Sequence, residues 1–265
     1  MNAFNAYQPK FVEVPTDNGG LIPEELDKIL ETTPNCKFIY VIPDFQNPTG
    51  RTWSMERRQK FMEVVNKHNL PVLEDNPYGE LRYEGTILPS LKSMDTKGLV
   101  MFLGTFSKIF CPGLRLGWIA AEHSLLSEFV KIKQSADLHT SNFDQGVADA
   151  YMEQYDLDEH VKEIVALYKH RRDLILESME KYFPAGTEWT HPEGGLFLWL
   201  TFPEGVSARK VFNKCIEMKV AGVIGDAFYP NQKTDRSMRI NYSNMPDDRI
   251  VEGIQRMAKA IKECM

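Results

Sequence analysis

Four short stretches of this chain carry side chains able to do covalent or acid–base chemistry, and each lies just beyond or close behind an apolar run. After the run at 37–42 comes Pro43-Asp44-Phe45-Gln46-Asn47-Pro48-Thr49-Gly50. After the run at 71–74 comes Asp75-Asn76-Pro77-Tyr78-Gly79. After the run at 99–103 comes Gly104-Thr105-Phe106-Ser107-Lys108, and Pro112-Gly113-Leu114-Arg115-Leu116-Gly117 lies shortly downstream. Ligands of open α/β sheets sit beyond the carboxyl ends of the strands, so these loops are expected to converge on one crevice. They would bring there an amide, a carboxylate, a phenol, two hydroxyls, a lysine and an arginine.

Hydroxyls beside an arginine fork make an anion site, most naturally for a phosphate. A carboxylate deep in the crevice can hold a proton on a ring nitrogen. An amide and a phenol can bind a ring hydroxyl from two sides. A partly desolvated lysine near cationic groups is activated as an amine nucleophile. Together these describe a site for pyridoxal phosphate. Taken singly, each piece also has a plain structural reading. Asn47-Pro48-Thr49-Gly50 is a turn sequence, Thr105 and Ser107 can cap a following segment, and a lone arginine or lysine can be a solvated charge.

The ordered set of blocks resembles the class I/II aminotransferases of the aspartate aminotransferase fold type. The blocks are Asn47-Pro48-Thr49-Gly50, Asp75-Asn76-Pro77-Tyr78, Ser107-Lys108 with the arginine loop through Gly117, and Arg239-Ile240-Asn241-Tyr242. The stretch Pro192-Glu193-Gly194-Gly195-Leu196-Phe197-Leu198-Trp199 is also typical, and the flavour is nearest to the 2-aminoadipate, kynurenine and aromatic aminotransferase branch. The resemblance implies that Lys108 forms the covalent link to pyridoxal 5'-phosphate and then shuttles the proton of transamination. Asp75 would keep the pyridine nitrogen protonated, and Asn47 and Tyr78 would bond the ring hydroxyl. Thr105, Ser107 and Arg115 would bind the phosphate, and Arg239, with Asn47 beside it, the substrate carboxylate. Phe197 and Trp199 are assigned to the core, and Phe228 and Tyr229 are candidates to line the pocket.

Apolar runs separated by amphipathic stretches must position these residues. Strands are expected at 10–14, 37–42, 71–74, 99–103 and 116–121, with helices at 23–30 and 54–68 and Ser54 as an N-cap. Continuous apolar strands of this kind belong to a parallel sheet whose helical crossovers cover it. Helices at 124–134 and 143–154 and a long one at 157–182 follow. Then come strands at 196–201, 221–224 and 237–241, with helices at 208–218 and 247–263. The expected fold is α/β, a mostly parallel sheet with helices on both faces plus a smaller C-terminal α+β domain. The expected division is 1–170, binding the cofactor, and 171–265.

The 265 residues include 31 Lys+Arg and 37 Asp+Glu, a net charge of −6. That balance lacks the basic footprint of a nucleic-acid-binding domain or of a polybasic membrane anchor. No apolar run approaches the ~20 residues of a membrane span. Four scattered cysteines and six unclustered histidines give no metal-ligand spacing, so no metal is expected. The expected setting is cytoplasmic and the expected assembly a homodimer, with an amino acid and a 2-oxo acid as small-molecule partners.

The family's chains start upstream of this one, with a Gly/Ser-rich phosphate turn and an aromatic that stacks on the pyridine ring. Their absence leads to the expectation of an N-terminally truncated form with weak cofactor binding. Two other readings stand beside the aminotransferase. One is a carbon–sulfur lyase of the same fold. The other is an inactive fragment or pseudoenzyme acting as an interaction module, like the effector-binding domains of some transcription regulators.

Overall fold

The computed structural model describes residues 3–231 and 234–265. A short hairpin opens the fold, β1 (Thr16–Asp17) and β2 (Gly20–Leu21), followed by α1 (Pro23–Thr32) with proline in its first turn. Then come β3 (Ile39–Val41), α2 (Met55–His68), β4 (Val72–Asp75), α3 (Leu91–Met94), β5 (Val100–Thr105) and β6 (Gly117–Ala120). The helices α4 (His123–Ala136), α5 (Asn142–Gln154) and α6 (Leu157–Tyr182) lead into β7 (Glu188–Trp189), β8 (Phe197–Thr201), α7 (Ala208–Glu217), β9 (Val223–Ile224), β10 (Ser237–Asn241) and α8 (Asp247–Cys264).

The first sheet has the order β3-β4-β5-β6, parallel through β5 and closed by the antiparallel β6. One face carries Ile39, Val41, Val72 and Val100, which pack with Leu26, Phe61, Met62 and Val65 of α1 and α2 into a buried core. Ser54 caps α2 as expected, its hydroxyl accepting from the Arg57 N–H. Glu74, fully buried on the same face, accepts the backbone N–H groups of Leu91 and Lys92 at 2.8 Å each and so caps α3. Residues 10–14, expected as a strand, form no regular element. Phe11 and Glu13 instead accept hydrogen bonds from Asn231.

The second sheet, β7-β8-β10-β9, is antiparallel. Its inner face, Leu198, Leu200, Met238 and Ile240, packs against α7, α8 and the C-terminal half of α6. The alternate residues Phe197, Trp199 and Arg239 face the other way. The long helix α6 serves both units. Ile164, Val165 and Tyr168 join a cluster with Phe45, Tyr78 and Phe197, whereas Ile175 and Met179 belong to the second core.

Among the described residues no helix is long and apolar enough to cross a membrane. No group of three or more acidic, His or Cys side chains there could hold a metal ion.

Candidate active site

Asp75 is the last residue of β4 and Thr105 the last of β5, so the parallel pairing sets both at the carboxyl edge of the sheet. Tyr78 follows Asp75 on a turn and is buried. The Tyr78 phenol is held above its ordinary pKa, chiefly by burial and then by the Asp75 charge, while Arg239 and hydrogen bonding from Asn47 pull the other way. Asn47 accepts a hydrogen bond from Arg239 Nη1 at 2.7 Å. The Asn47 amide thus ties the turn after β3 to an arginine of the second sheet, with the phenol after β4 beside it.

Arg239 is held by stacking as well. Its guanidinium lies 4.1 Å from the centre of the Phe197 ring and 5.0 Å from that of Phe228. Phe228 in turn packs edge-on against Trp199. Cation–π contacts fix the plane of the fork while leaving its remaining N–H groups unspent. Phe197 is therefore more than the core residue its alternating position indicates, and Phe228, a pocket candidate in the sequence, braces the arginine. The strand register explains Phe197, since Arg239 lies opposite Trp199 and Asn241 opposite Phe197 on one face, whereas Phe228 reaches the arginine from the 3-10 turn that follows β9.

The turn after β5 brings hydroxyls and amine together. Thr105 Oγ1 and Ser107 Oγ are 3.0 Å apart, and the Ser107 N–H donates to Thr105 Oγ1 at 3.1 Å. Lys108 is half-buried on this turn, and no carboxylate pairs with it among the described residues. Arg115 adjoins this group through its neighbour Leu116, whose carbonyl accepts from Thr105 Oγ1 at 3.0 Å and from the Phe106 N–H at 3.2 Å. It is exposed with left-handed backbone (φ 56°), and its Nη1 donates to Pro112 O at 3.1 Å within its own loop.

Asp75 carries a partner that the sequence does not announce. Tyr40, on the neighbouring strand β3, donates its phenol to Asp75 Oδ2 at 2.5 Å. Burial raises the Asp75 pKa, and the Tyr40 hydrogen bond opposes that rise.

A buried charge cluster braces the Asn47 turn. Asp44 Oδ1 accepts from Arg58 Nη2 at 2.6 Å, and Arg58 is fully buried, with Nη1 on Pro89 O and Nε on Trp53 O. Arg82 lies 3.5 Å from the same oxygen, donates to Glu193 at 3.1 Å and stacks over Phe45. The Gly194-Gly195 turn wraps that ring. A Cβ at Gly194 would stand 2.4 Å from both Leu81 O and the Phe45 ring, and Gly195 has φ +75°. Backbone bonds from Tyr83 to Glu193 and from Gly195 to Leu81 complete the clasp. Removing one partner of a buried ion pair leaves an uncompensated charge, at a cost of about 3–5 kcal/mol. Arg58→Ala is expected to lose that much in urea unfolding; a loss under ~1 kcal/mol would show that water or a neighbour replaces the guanidinium.

The family model for aminotransferase class I and II matches residues 1–257. The chain belongs to the class I and II aminotransferases. It is 42% identical over 269 residues to aromatic-amino-acid aminotransferase 1 of Thermococcus litoralis, covering 100% of this chain and 64% of that protein. It is 31% identical over 265 residues to the 2-aminoadipate transaminase of Thermus thermophilus, covering 99% and 66%. Its fold superimposes on the crystal structure of Pyrococcus horikoshii kynurenine aminotransferase, in complex with PMP, with a TM-score of 0.95 at 41% identity, covering 99% and 66%. The chain thus spans about two thirds of the length of the aminotransferases it matches.

Proposed function

We propose that this chain carries the catalytic centre of a pyridoxal-phosphate-dependent aminotransferase that moves an amino group from an α-amino acid to a 2-oxo acid. The observation that carries this reading is Asn47 between Tyr78 and Arg239. It sets ring-binding groups of one sheet against a carboxylate fork of the other. The donor set fits the cofactor: a carboxylate with one oxygen already bonded, an amide and a phenol side by side, two hydroxyls 3.0 Å apart and a lysine without a carboxylate partner. When bound, pyridoxal phosphate supplies an aldehyde for the amine and a ring that takes up the electron pair released at the α-carbon.

The chain's own residues would do the rest. Asp75 holds the proton on the ring nitrogen, and Asn47 and Tyr78 orient the ring hydroxyl. Thr105, Ser107 and the exposed Arg115 bind the phosphate. Lys108 would move the proton between the substrate α-carbon and the cofactor's former aldehyde carbon. Arg239 grips the substrate carboxylate and so fixes the α-hydrogen toward the base, an orientational gain in rate. The amino-transfer activities of the relatives favour this over carbon–sulfur bond cleavage. The reading extends to a cytoplasmic homodimer with no nucleic-acid or membrane partner, and to a division into 1–170 and 171–265. The net charge of −6 weighs against a nucleic-acid partner, and the exposed Val130, Ile132 and Phe143 on α4 and α5 offer an apolar face to a second copy.

The test is to incubate the chain with pyridoxal phosphate, an aromatic amino acid and 2-oxoglutarate and to follow glutamate by chromatography. Stoichiometric glutamate and aromatic 2-oxo acid are expected. Pyruvate and ammonia from cystathionine, without glutamate, would point to the lyase instead.

A further inference from the structure

Asp75 is the group on which the ring nitrogen's proton depends, and a carboxylate has two oxygens to aim. The parallel register sets Tyr40 level with Leu73, so Asp75 lies two residues further along the adjacent strand, on the same face. Two residues are about 6.5 Å of strand, which is close to the reach of a phenol. Tyr40 crosses that diagonal and donates to Asp75 Oδ2 at 2.5 Å. Its ring is braced edge-on by Phe4, centroids 6.0 Å apart. Glu74, the next carboxylate along β4, points to the opposite face and is occupied with α3.

We propose that Tyr40 is a positioning residue for Asp75, fixing one carboxylate oxygen so that the other is presented as an anion to a protonated ring nitrogen. The inference rests on the cofactor reading above. Tyr40 suits the task because burial and the Asp75 charge keep its phenol protonated across the working pH range, so it always donates. A hydrogen bond to the charged form of a carboxyl favours that form, which counters the burial of Asp75. Among the described residues the other titratable side chain facing Asp75 is Tyr78, which sits beyond it on the following turn and is likewise kept neutral.

The test is Tyr40→Phe, which keeps the ring and removes one hydroxyl. In the cofactor-free chain, the Asp75 carboxyl carbon is titrated by NMR with selectively labelled aspartate, assigned through Asp75→Asn. The Asp75 midpoint is expected to move to higher pH in the variant, with the melting temperature kept within ~3 °C. Affinity for pyridoxal phosphate at pH 8, read by equilibrium dialysis, is expected to fall roughly 3- to 10-fold, the worth of one hydrogen bond. An unchanged Asp75 midpoint would overturn the proposal whatever the affinity does. A moved midpoint with unchanged affinity would overturn the role toward the ring nitrogen. If neither chain binds pyridoxal phosphate, the functional reading fails with it, and the midpoint shows separately whether Tyr40 governs Asp75.

Discussion

Replacing Lys108 by alanine is expected to abolish the visible absorbance that the chain develops with pyridoxal phosphate and to lower amino-group transfer about 10⁴-fold or more. The lysine sits on the turn directly after β5, half-buried and without a carboxylate partner among the described residues. No other lysine lies on the loops that follow β3, β4 and β5 close to Asn47, Asp75 and Thr105. On the proposed reading two functions would vanish together: the amine that captures the cofactor's aldehyde, and the base that carries the α-proton. A positioned general acid–base alone is worth about 10²–10⁴ in rate, and covalent capture adds to it. Lys108→Arg separates charge from chemistry, since it keeps the cation but supplies no usable nucleophile. It should be as inactive as the alanine variant while binding the cofactor's phosphate end normally. Added methylamine should restore part of the lost rate in Lys108→Ala, as a diffusing amine replaces the tethered one. Full activity in Lys108→Ala would remove the lysine from the mechanism. Lost activity with a collapsed melting temperature would instead assign it to the fold.

The parts legible in the sequence are those fixed by local chemistry. The strand runs, the Ser54 cap, the proline at the start of α1 and the full extent of α6 all follow from periodicity and capping. The placing of Asn47, Asp75 and Lys108 at or just beyond the carboxyl ends of β3, β4 and β5 follows in the same way. What stayed illegible depends on register and on contacts across long sequence distances. Tyr40 reads as one more strand aromatic until the parallel pairing sets it diagonal to Asp75. Phe197 reads as core because it alternates with Leu198, and only the antiparallel pairing with β10 shows its face under Arg239. Arg58 and Arg82 are ordinary helix and loop cations in the sequence. Their shared oxygen on Asp44 is 14 and 38 residues away and is visible only in the fold. The segment at 10–14 carries strand-type residues, but its backbone finds no strand to pair with and its carbonyl and carboxylate go to Asn231.

The clasp around Phe45 connects these observations. Asp44 and Phe45 precede Asn47 by two or three residues, Arg82 follows Tyr78 by four, and the Gly194-Gly195 turn leads into β8, the hydrogen-bonded neighbour of β10. The backbone segments that carry Asn47, Tyr78 and Arg239 therefore meet at one buried node. Its charges are satisfied, which a low-dielectric interior requires. A node of this kind holds the 2.7 Å Asn47–Arg239 contact across two sheets that share no strand.

That contact makes Arg239 the second large effect. Arg239→Ala is expected to reduce kcat/KM for an α-amino acid by roughly 30- to 5,000-fold. Truncating one partner of a hydrogen-bonded charge pair costs about 2–5 kcal/mol, and each 1.36 kcal/mol is tenfold. Burial pulls the Arg239 pKa down, yet a guanidinium stays charged at any working pH, so the loss should not vary with pH between ~6 and 9. Arg239→Lys keeps the charge but loses the planar fork and its stacking between Phe197 and Phe228. It should fall between the wild type and the alanine variant, with KM rising more than kcat falls. The decisive comparison uses an amine that lacks a carboxylate, such as benzylamine. If Arg239 acts through the carboxylate, the variant and the wild type should convert that amine at the same slow rate. An equal loss for both substrates would place Arg239 in the support of Asn47 and the ring hydroxyl instead.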